Sequence, residues 1–567
     1  MHRIYHRKVI FRNDAYTNVD HMNGKTSLRP IKEVAADLGL NEADYETYGS
    51  TIAKLSLSLA GRNTKDGKLI LVTAINPTPA GEGKTTTTIG LGQAFRKLGK
   101  KVVIAIREPS LGPCFGIKGG ATGGGMATVE PSDRINLIFT GDFPAVTAAH
   151  NLLSAMINNH IYHGNKLGID QKRIVFPRTI DMNDRSLRNI IVGVGDRETG
   201  SLNMDRFVIT PASEIMAILG LSTSYGDLKE RLGKIIVGYD SKSNPVFCRD
   251  LKAQGAMASL LVDALKPNLV QTQDGTPAMI HTGPFGNIAH GTSSVLADRI
   301  ALKLSDYLIT EAGFGSELGA EKFFDLVSRV ADLPINAVVL VATIRALKHN
   351  GGAKELNAED LGALESGFAN LKRHISLIRG FGFDPVVSIN RFQTDTDAEI
   401  ALLEKLLRDE KARWALSEVY GKGAEGGLKL AEAVLEAIGQ SGGKVNRVYD
   451  LGDSVKDKIM KISRNVYGAD DVVYSKEALR DLKRISKMGL DSLPVCMAKT
   501  QYSLSDDATL LNSPKGFKVH VESINVSAGA GFIVPILGEI MTMPGLPEHP
   551  AAENVDVDEA GNIIGLF

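Results

Sequence analysis

From Thr73 to Thr88 the chain reads Thr-Ala-Ile-Asn-Pro-Thr-Pro-Ala-Gly-Glu-Gly-Lys-Thr-Thr-Thr-Thr. Gly81 and Gly83 let the backbone curl so that successive N–H groups converge on phosphate oxygens. Lys84 would reach the β- and γ-phosphates, and Thr85 would hold a magnesium ion next to them. Thr78, Pro79, Ala80 and Glu82 complete the loop that should wrap ATP. Thr78 stands where the first glycine of the usual G-x-x-x-x-G-K-[ST] pattern belongs. The apolar run Leu69–Val72 precedes the loop and a helical pattern, Ile89–Leu98, follows it. That strand–loop–helix setting separates a phosphate loop from an ordinary surface turn.

Further reactive side chains sit where other strands should end. Arg107-Glu108-Pro109-Ser110 follows the apolar run Lys101–Ile106. Arg107, expected on the strand adjacent to the loop strand, could grip an anion with its two-pronged guanidinium. An ion pair with Glu108 or Asp142 is the competing role. Glu311-Ala-Gly-Phe-Gly315 and Asn390-Arg391-Phe392 close two more such runs. The glycine-rich stretch Gly116–Gly125 must be a loop, and Lys118 within it could meet an anion.

The elements that position these residues read as alternating strands and helices. Runs at Lys68–Ala74, Lys101–Ile106, Ile190–Val194, Tyr307–Thr310, Ala337–Thr343, Pro385–Asn390 and Ala415–Val419 are continuous and apolar. Helical stretches such as Ser316–Val330, Leu361–Ile378 and Thr396–Arg408 lie between them. The pattern predicts an α/β fold of the P-loop NTPase kind, a mostly parallel sheet with helices on both faces and smaller α/β units. Ligands on such sheets gather at the carboxyl ends of the strands. Three regions are expected: an N-terminal extension over 1–30, a nucleotide-binding α/β domain with an inserted subdomain over 31–440, and a C-terminal domain over 441–567. Met22 could be the true start.

Composition narrows the classes. The 567 residues are 43% hydrophobic and 23% charged, too many for one core and ordinary for a globular protein. Lys+Arg and Asp+Glu both number 65, so no net field favours nucleic acid or an anionic membrane. Cys114, Cys248 and Cys496 are far apart, which excludes a disulfide framework and a cysteine zinc site and suits a reducing, cytoplasmic setting.

Matched segments in order give a family resemblance. They include Thr78–Thr85, Arg107–Gly112, Ile117–Ala121, Phe139–Asp142, Ala149–Leu153, Glu311–Gly315, Met497–Tyr502 and Met541–Pro547. The chain resembles formate–tetrahydrofolate ligases from about Ile31 to its end. The resemblance implies a cytosolic homotetramer that turns ATP, formate and tetrahydrofolate into ADP, phosphate and 10-formyltetrahydrofolate through formyl phosphate. It implies Lys84, Arg107 and Asp142 as catalytic residues. Glu108, Ser110 and Asp142 would surround a monovalent cation, potassium or ammonium. Phe314, Asn390, Phe392 and Tyr420 would line the folate pocket.

Departures from the family pattern cluster on the acyl and folate side. Ile138 and Pro144 stand where the family has histidines, Met126 where it has tyrosine, Tyr420 where it has tryptophan, and Gln393 where it has proline. Neither Ile138 nor Pro144 can carry a proton. His281 and His290 remain as imidazoles for the site or for structure. Two alternatives stay open at this point: a relative using the same acyl-phosphate chemistry on another acid or acceptor, and a phosphate-loop switch ATPase that works by binding partners.

Overall fold

A computed structural model describes residues 28–78, 81–116, 120–440, 442–538 and 540–566. Nearly all of the expected N-terminal extension, Pro79, Ala80 and Lys118 lie outside them.

Among the described residues the dominant element is a 12-stranded sheet. From one edge its strands are Tyr45–Tyr48, Ile52–Leu55, Asn268–Thr272, Pro277–Ile280, Val102–Ile106, Tyr307–Glu311, Lys68–Ala74, Ile335–Ala342, Val386–Asn390 and Arg413–Ser417. Two short strands, Gly123–Gly124 and Ala127–Glu130, branch from Asn268–Thr272. Every neighbouring pair from Pro277–Ile280 to Arg413–Ser417 is parallel. The pairs at the other edge are antiparallel. The fold is therefore α/β with a mostly parallel sheet.

The loop strand shows why its sequence is apolar throughout. Alternate side chains of a strand point to opposite faces. Ile70, Val72 and Ala74 pack against Leu91, Ala94 and Phe95 of the helix Lys84–Lys97, and against Leu430 and Val434 of Val419–Gln440. Leu69 and Leu71 enter the opposite layer with Val103, Leu296 and Ile300. Burying each such aliphatic side chain contributes about 1.5–3 kcal/mol. The two covering helices meet at Gly90, where a Cβ would lie 2.3 Å from the side chain of Val419. Close helix contact there offsets the helix-weakening effect of glycine. Further along, Leu340, Ala342, Val387 and Ile389 pack with Leu371 and Ile375 of Leu361–Gly380 and Leu403 and Leu407 of Asp397–Asp409. Thr396 and Glu399 start that last helix with reciprocal side-chain-to-backbone bonds.

Four expectations need correction. Tyr307–Glu311 pairs with both Lys68–Ala74 and Val102–Ile106, so the strand leading to Arg107 is one removed from the loop strand. Ile190–Val192 is outside the main sheet, in an antiparallel hairpin with Asn203–Asp205. Asn268–Thr272 and Pro277–Ile280 are strands that the apolar-run pattern passes over, being short, polar or opened by proline. Ser316–Ala320 and Phe323–Val327 are π-helical turns within the expected α-helix, which closes with the α-helical Ser328–Ala331. In the region after residue 441, Tyr449, Tyr467, Cys496 and Phe532 are buried in the same apolar cluster as Phe323, Phe324 and Phe381.

Candidate active site

The phosphate loop is held from behind by its own acid. Glu82 is buried; one carboxylate oxygen accepts from the Thr78 N–H (2.7 Å) and hydroxyl (3.0 Å), and the other from the Thr343 hydroxyl. Burial pushes the Glu82 carboxyl above its ordinary pKa, against those hydrogen bonds. The side chain points into the protein, leaving the loop backbone to face a phosphate. Asn390 Nδ2 donates to the Glu82 carbonyl (3.1 Å), and Arg345 donates to the Gly81 carbonyl (3.0 Å). Gly81 and Gly83 have φ of 80° and 69°. At Gly83 a Cβ would also lie 2.5 Å from the Asn390 amide, so glycine is required there twice over.

Lys84 and Thr85 open the helix Lys84–Lys97, whose first N–H groups face the loop. The Thr85 hydroxyl donates to Glu311 Oε2 at 2.9 Å, across from the neighbouring strand end. Two residues on, the guanidinium of Arg107 lies over Gly313, where a Cβ would come within 2.5 Å of it. Arg107 Nη1 donates to the Pro284 carbonyl (3.2 Å). Thr85 and Arg107 thus converge on one strand exit, Glu311–Gly313, from opposite sides.

Next to Arg107 lies an acidic pocket. Asp142 is the first residue of the helix Asp142–Tyr162 and is buried. Its oxygens take Lys54 Nζ at 2.7 and 2.9 Å and Asn268 Nδ2 at 2.8 Å. Glu108 is buried beside it, with one carboxylate oxygen left without a hydrogen-bond partner. Burial first, and then the charge of Asp142, hold the Glu108 carboxyl well above the usual range. Ser110 donates to Asp181 at 2.6 Å, and burial raises Asp181 to about 6.

The aromatic residues occupy the outer part of the same edge. Phe314 is half-buried and adopts φ = 62°, a conformation costly for a bulky side chain and typical of functional turns. The ring of Phe392 lies 4.5 Å under the Arg345 guanidinium, joining it to the loop. Tyr420 is 58% exposed, and its carbonyl accepts from the Met126 N–H (2.8 Å). Met126 and Ile138 are 51% and 61% exposed, and Pro144 and Gln393 are exposed too. The substituted positions therefore line open surface and not the core. His281 serves structure: its ring nitrogens bond Ser294 Oγ (2.7 Å) and the Ala264 carbonyl (2.8 Å). His290 is buried against Gly220.

Three contributors lacked a role in the sequence reading: Lys54, Arg345 and the carboxylate of Glu311. Glu311 lies in a segment singled out there, and its place at the end of an apolar run is the available signal. Lys54 and Arg345 come from segments with no motif, and only the sheet order brings them in.

Comparison with known proteins agrees with this architecture. The family described as formate–tetrahydrofolate ligase matches residues 19–567. A protein of that name from Thermoplasma volcanium is 65% identical over 540 residues, 95% of this chain and all of the relative. Another from Thermoplasma acidophilum is 66% identical over the same length, with the same coverage. One from Picrophilus torridus is 57% identical over 538 residues, 94% of this chain and all of the relative. With a family match over residues 19–567 and relatives 57–66% identical over nearly its whole length, the chain belongs to the formate–tetrahydrofolate ligase family.

Proposed function

We propose that this chain joins formate to tetrahydrofolate at the expense of ATP, by way of formyl phosphate. The observation that carries the reading is the convergence of Thr85 and Arg107 on Glu311–Gly313, which supports a triphosphate site next to an anion clamp. Formate is a poor acyl donor because hydroxide is its leaving group. Attack of a formate oxygen on the γ-phosphorus replaces that leaving group by phosphate and releases ADP. Lys84 draws charge from the migrating phosphoryl group, and Arg107 holds the oxygens of the acyl phosphate. Folate N10 then attacks the formyl carbon, phosphate departs, and N10 loses its proton. Phe314, Phe392 and Tyr420 offer flat surfaces for the folate rings, with Asn390 at the pocket floor.

Magnesium fits next to the loop: the Thr85 hydroxyl and the Glu311 carboxylate already meet in a hydrogen bond and are the two side-chain oxygens that would hold it. When bound, the ion would neutralise charge on the β- and γ-phosphates. A monovalent cation would be held beside Glu108, which keeps an unpaired oxygen and feels the charges of Asp142 and Asp181, although Lys54 already supplies Asp142 with an ammonium. Of the residues assigned to that cation, Ser110 is turned to Asp181 and Asp142 is held by Lys54, which leaves Glu108 the freest donor.

ATP turnover with and without formate and tetrahydrofolate tests the reading, with methenyltetrahydrofolate absorbance after acidification as the product signal. Turnover that ignores formate would show a switch ATPase instead. The proton leaving N10 is carried by water or another group at a site with Ile138 and Pro144. General acid–base assistance is worth about 10²–10⁴-fold. Ile138→His together with Pro144→His should therefore raise the formate-dependent rate, and an unchanged rate excludes proton transfer from these positions.

The same proposal includes a cytoplasmic homotetramer. Among the described residues no helix is long and apolar enough to cross a membrane, and the three cysteines are free and buried. The hairpin Ile190–Val192/Asn203–Asp205 places Ile191 opposite Met204, both largely exposed, with Val194 and Leu202 exposed nearby. Two-stranded hairpins are marginal alone, and an apolar one invites cover by a second copy of the chain. Ile191→Glu with Met204→Glu should lower the mass measured by light scattering below that of a tetramer. An unchanged mass places the interface elsewhere.

A further inference from the structure

Asn76, two residues beyond the loop strand, is buried and tied to three separate parts of the chain. Its backbone N–H points to His374 Nε2 (3.3 Å), and Asn370 Nδ2 donates to its Oδ1 (2.9 Å), both from the helix Leu361–Gly380. Its Nδ2 donates to Glu317 Oε1 (2.9 Å), in the π-helical turn after Glu311–Gly315, and to the carbonyl of Gln501 (3.2 Å). Glu317 is itself wholly buried, and Lys499 Nζ lies 3.6 Å from the same Oε1. The Lys499 ammonium completes its shell with the carbonyls of Thr500 (2.8 Å) and Ser503, and sits 5.2 Å over the ring of Tyr467. Met497–Tyr502 is one of the segments that marked the resemblance, and nothing in the chemistry above uses it.

We propose that Lys499 is a positioning residue for the nucleotide site. Through Glu317 and Asn76 it fixes the entry of the phosphate loop, which makes the Met497–Tyr502 segment part of the ATP-binding machinery. The inference rests on the nucleotide site proposed above.

The physical argument is one of charge in a dry place. A fully buried carboxylate persists only with a cation and hydrogen bonds around it. Lys499 supplies the cation, and Asn76 supplies a hydrogen bond that also orders the loop. The field of Lys84 reaches Glu317 as well and, like that of Lys499, works against burial. Burial, opposed by Glu317, brings Lys499 down to about 8. Lys322 pushes the same way and Asp506 the other, while His374, held neutral by burial at about 3, adds no charge. The charged form of Lys499 is thus present below about pH 8 and lost as the pH rises through it. With it goes the cation that opposes the effect of burial on Glu317, whose carboxyl burial holds above its ordinary range, and the contact that helps fix the loop entry.

Calorimetric ATP binding across pH 6.5–9.5, without formate or folate, tests this on wild type, Lys499→Met and the double variant Lys499→Met/Glu317→Gln. The double variant removes both charges at similar volume and serves as the folded reference if the single one does not fold. Misplacement of about 1 Å can lower function 10²-fold. Wild-type affinity should fall as the pH passes about 8. The double variant should bind ATP about 10²-fold more weakly at pH 7 and show no such fall. Wild-type affinity in the double variant would overturn the proposal. So would weakened binding that keeps the wild-type pH limb, because the effect would then be structural. Failure of the ligase reading appears elsewhere, as wild-type turnover independent of formate.

Discussion

A Lys84→Ala enzyme should fold, keep its secondary structure, and show no formate-dependent turnover. Lys84 is the first residue of the helix behind the loop, so alanine suits its backbone. What disappears is the cation that the proposed function places nearest the migrating phosphoryl group, where catalysis is almost entirely positioning and charge stabilisation. Circular dichroism and coupled ATP turnover on the same sample check both halves of the expectation. Near-normal activity in the variant would falsify the phosphate-loop assignment.

Arg107→Ala should lower kcat by at least about 100-fold while ATP affinity changes little, because a clamp on the acyl phosphate matters mainly after the nucleotide has bound. Equal loss of ATP binding would move Arg107 into the nucleotide site. A companion variant reads the same contact from the other side. At Gly313 a Cβ would lie 2.5 Å from the guanidinium, so Gly313→Ala must displace it. That variant should share the kcat defect in weaker form, with ATP binding kept. Normal kcat in Gly313→Ala would mean that the guanidinium position seen here is not the working one.

The parts of the site legible in the sequence are those whose chemistry is local. Gly81, Gly83, Lys84 and Thr85 are read from spacing, because a phosphate loop is built from consecutive backbone groups. The loop strand is read from its unbroken apolar run, since a strand covered on both faces has no polar side. What stayed hidden depends on sheet order. Tyr307–Glu311, legible as a strand from its apolar run, is inserted between the strands that lead to Lys84 and Arg107, and no local pattern announces that order. Lys54 reaches Asp142, and Lys499 reaches Glu317, only because distant segments are folded together. Glu82 misleads in the opposite way: its place in the motif suggests a ligand contact, whereas its carboxylate ties the loop to Thr343. The run at Ile190–Val194 misleads too, since apolar strand composition does not distinguish a buried parallel strand from an exposed hairpin.

The position of Lys68–Ala74 in the sheet also bears on how the protein is made. Both of its neighbours, Tyr307–Glu311 and Ile335–Ala342, come far later in the sequence. On the ribosome the loop strand emerges early and waits with both edges unpaired, the exposure that makes non-local sheets slow and open to aggregation. Its nucleotide site is assembled only when the second neighbour has docked, and the Lys499 segment arrives later still. A bound ligand stabilises only a state that already contains its site. ATP bound at the proposed site would therefore stabilise the finished chain and give no help to the growing one.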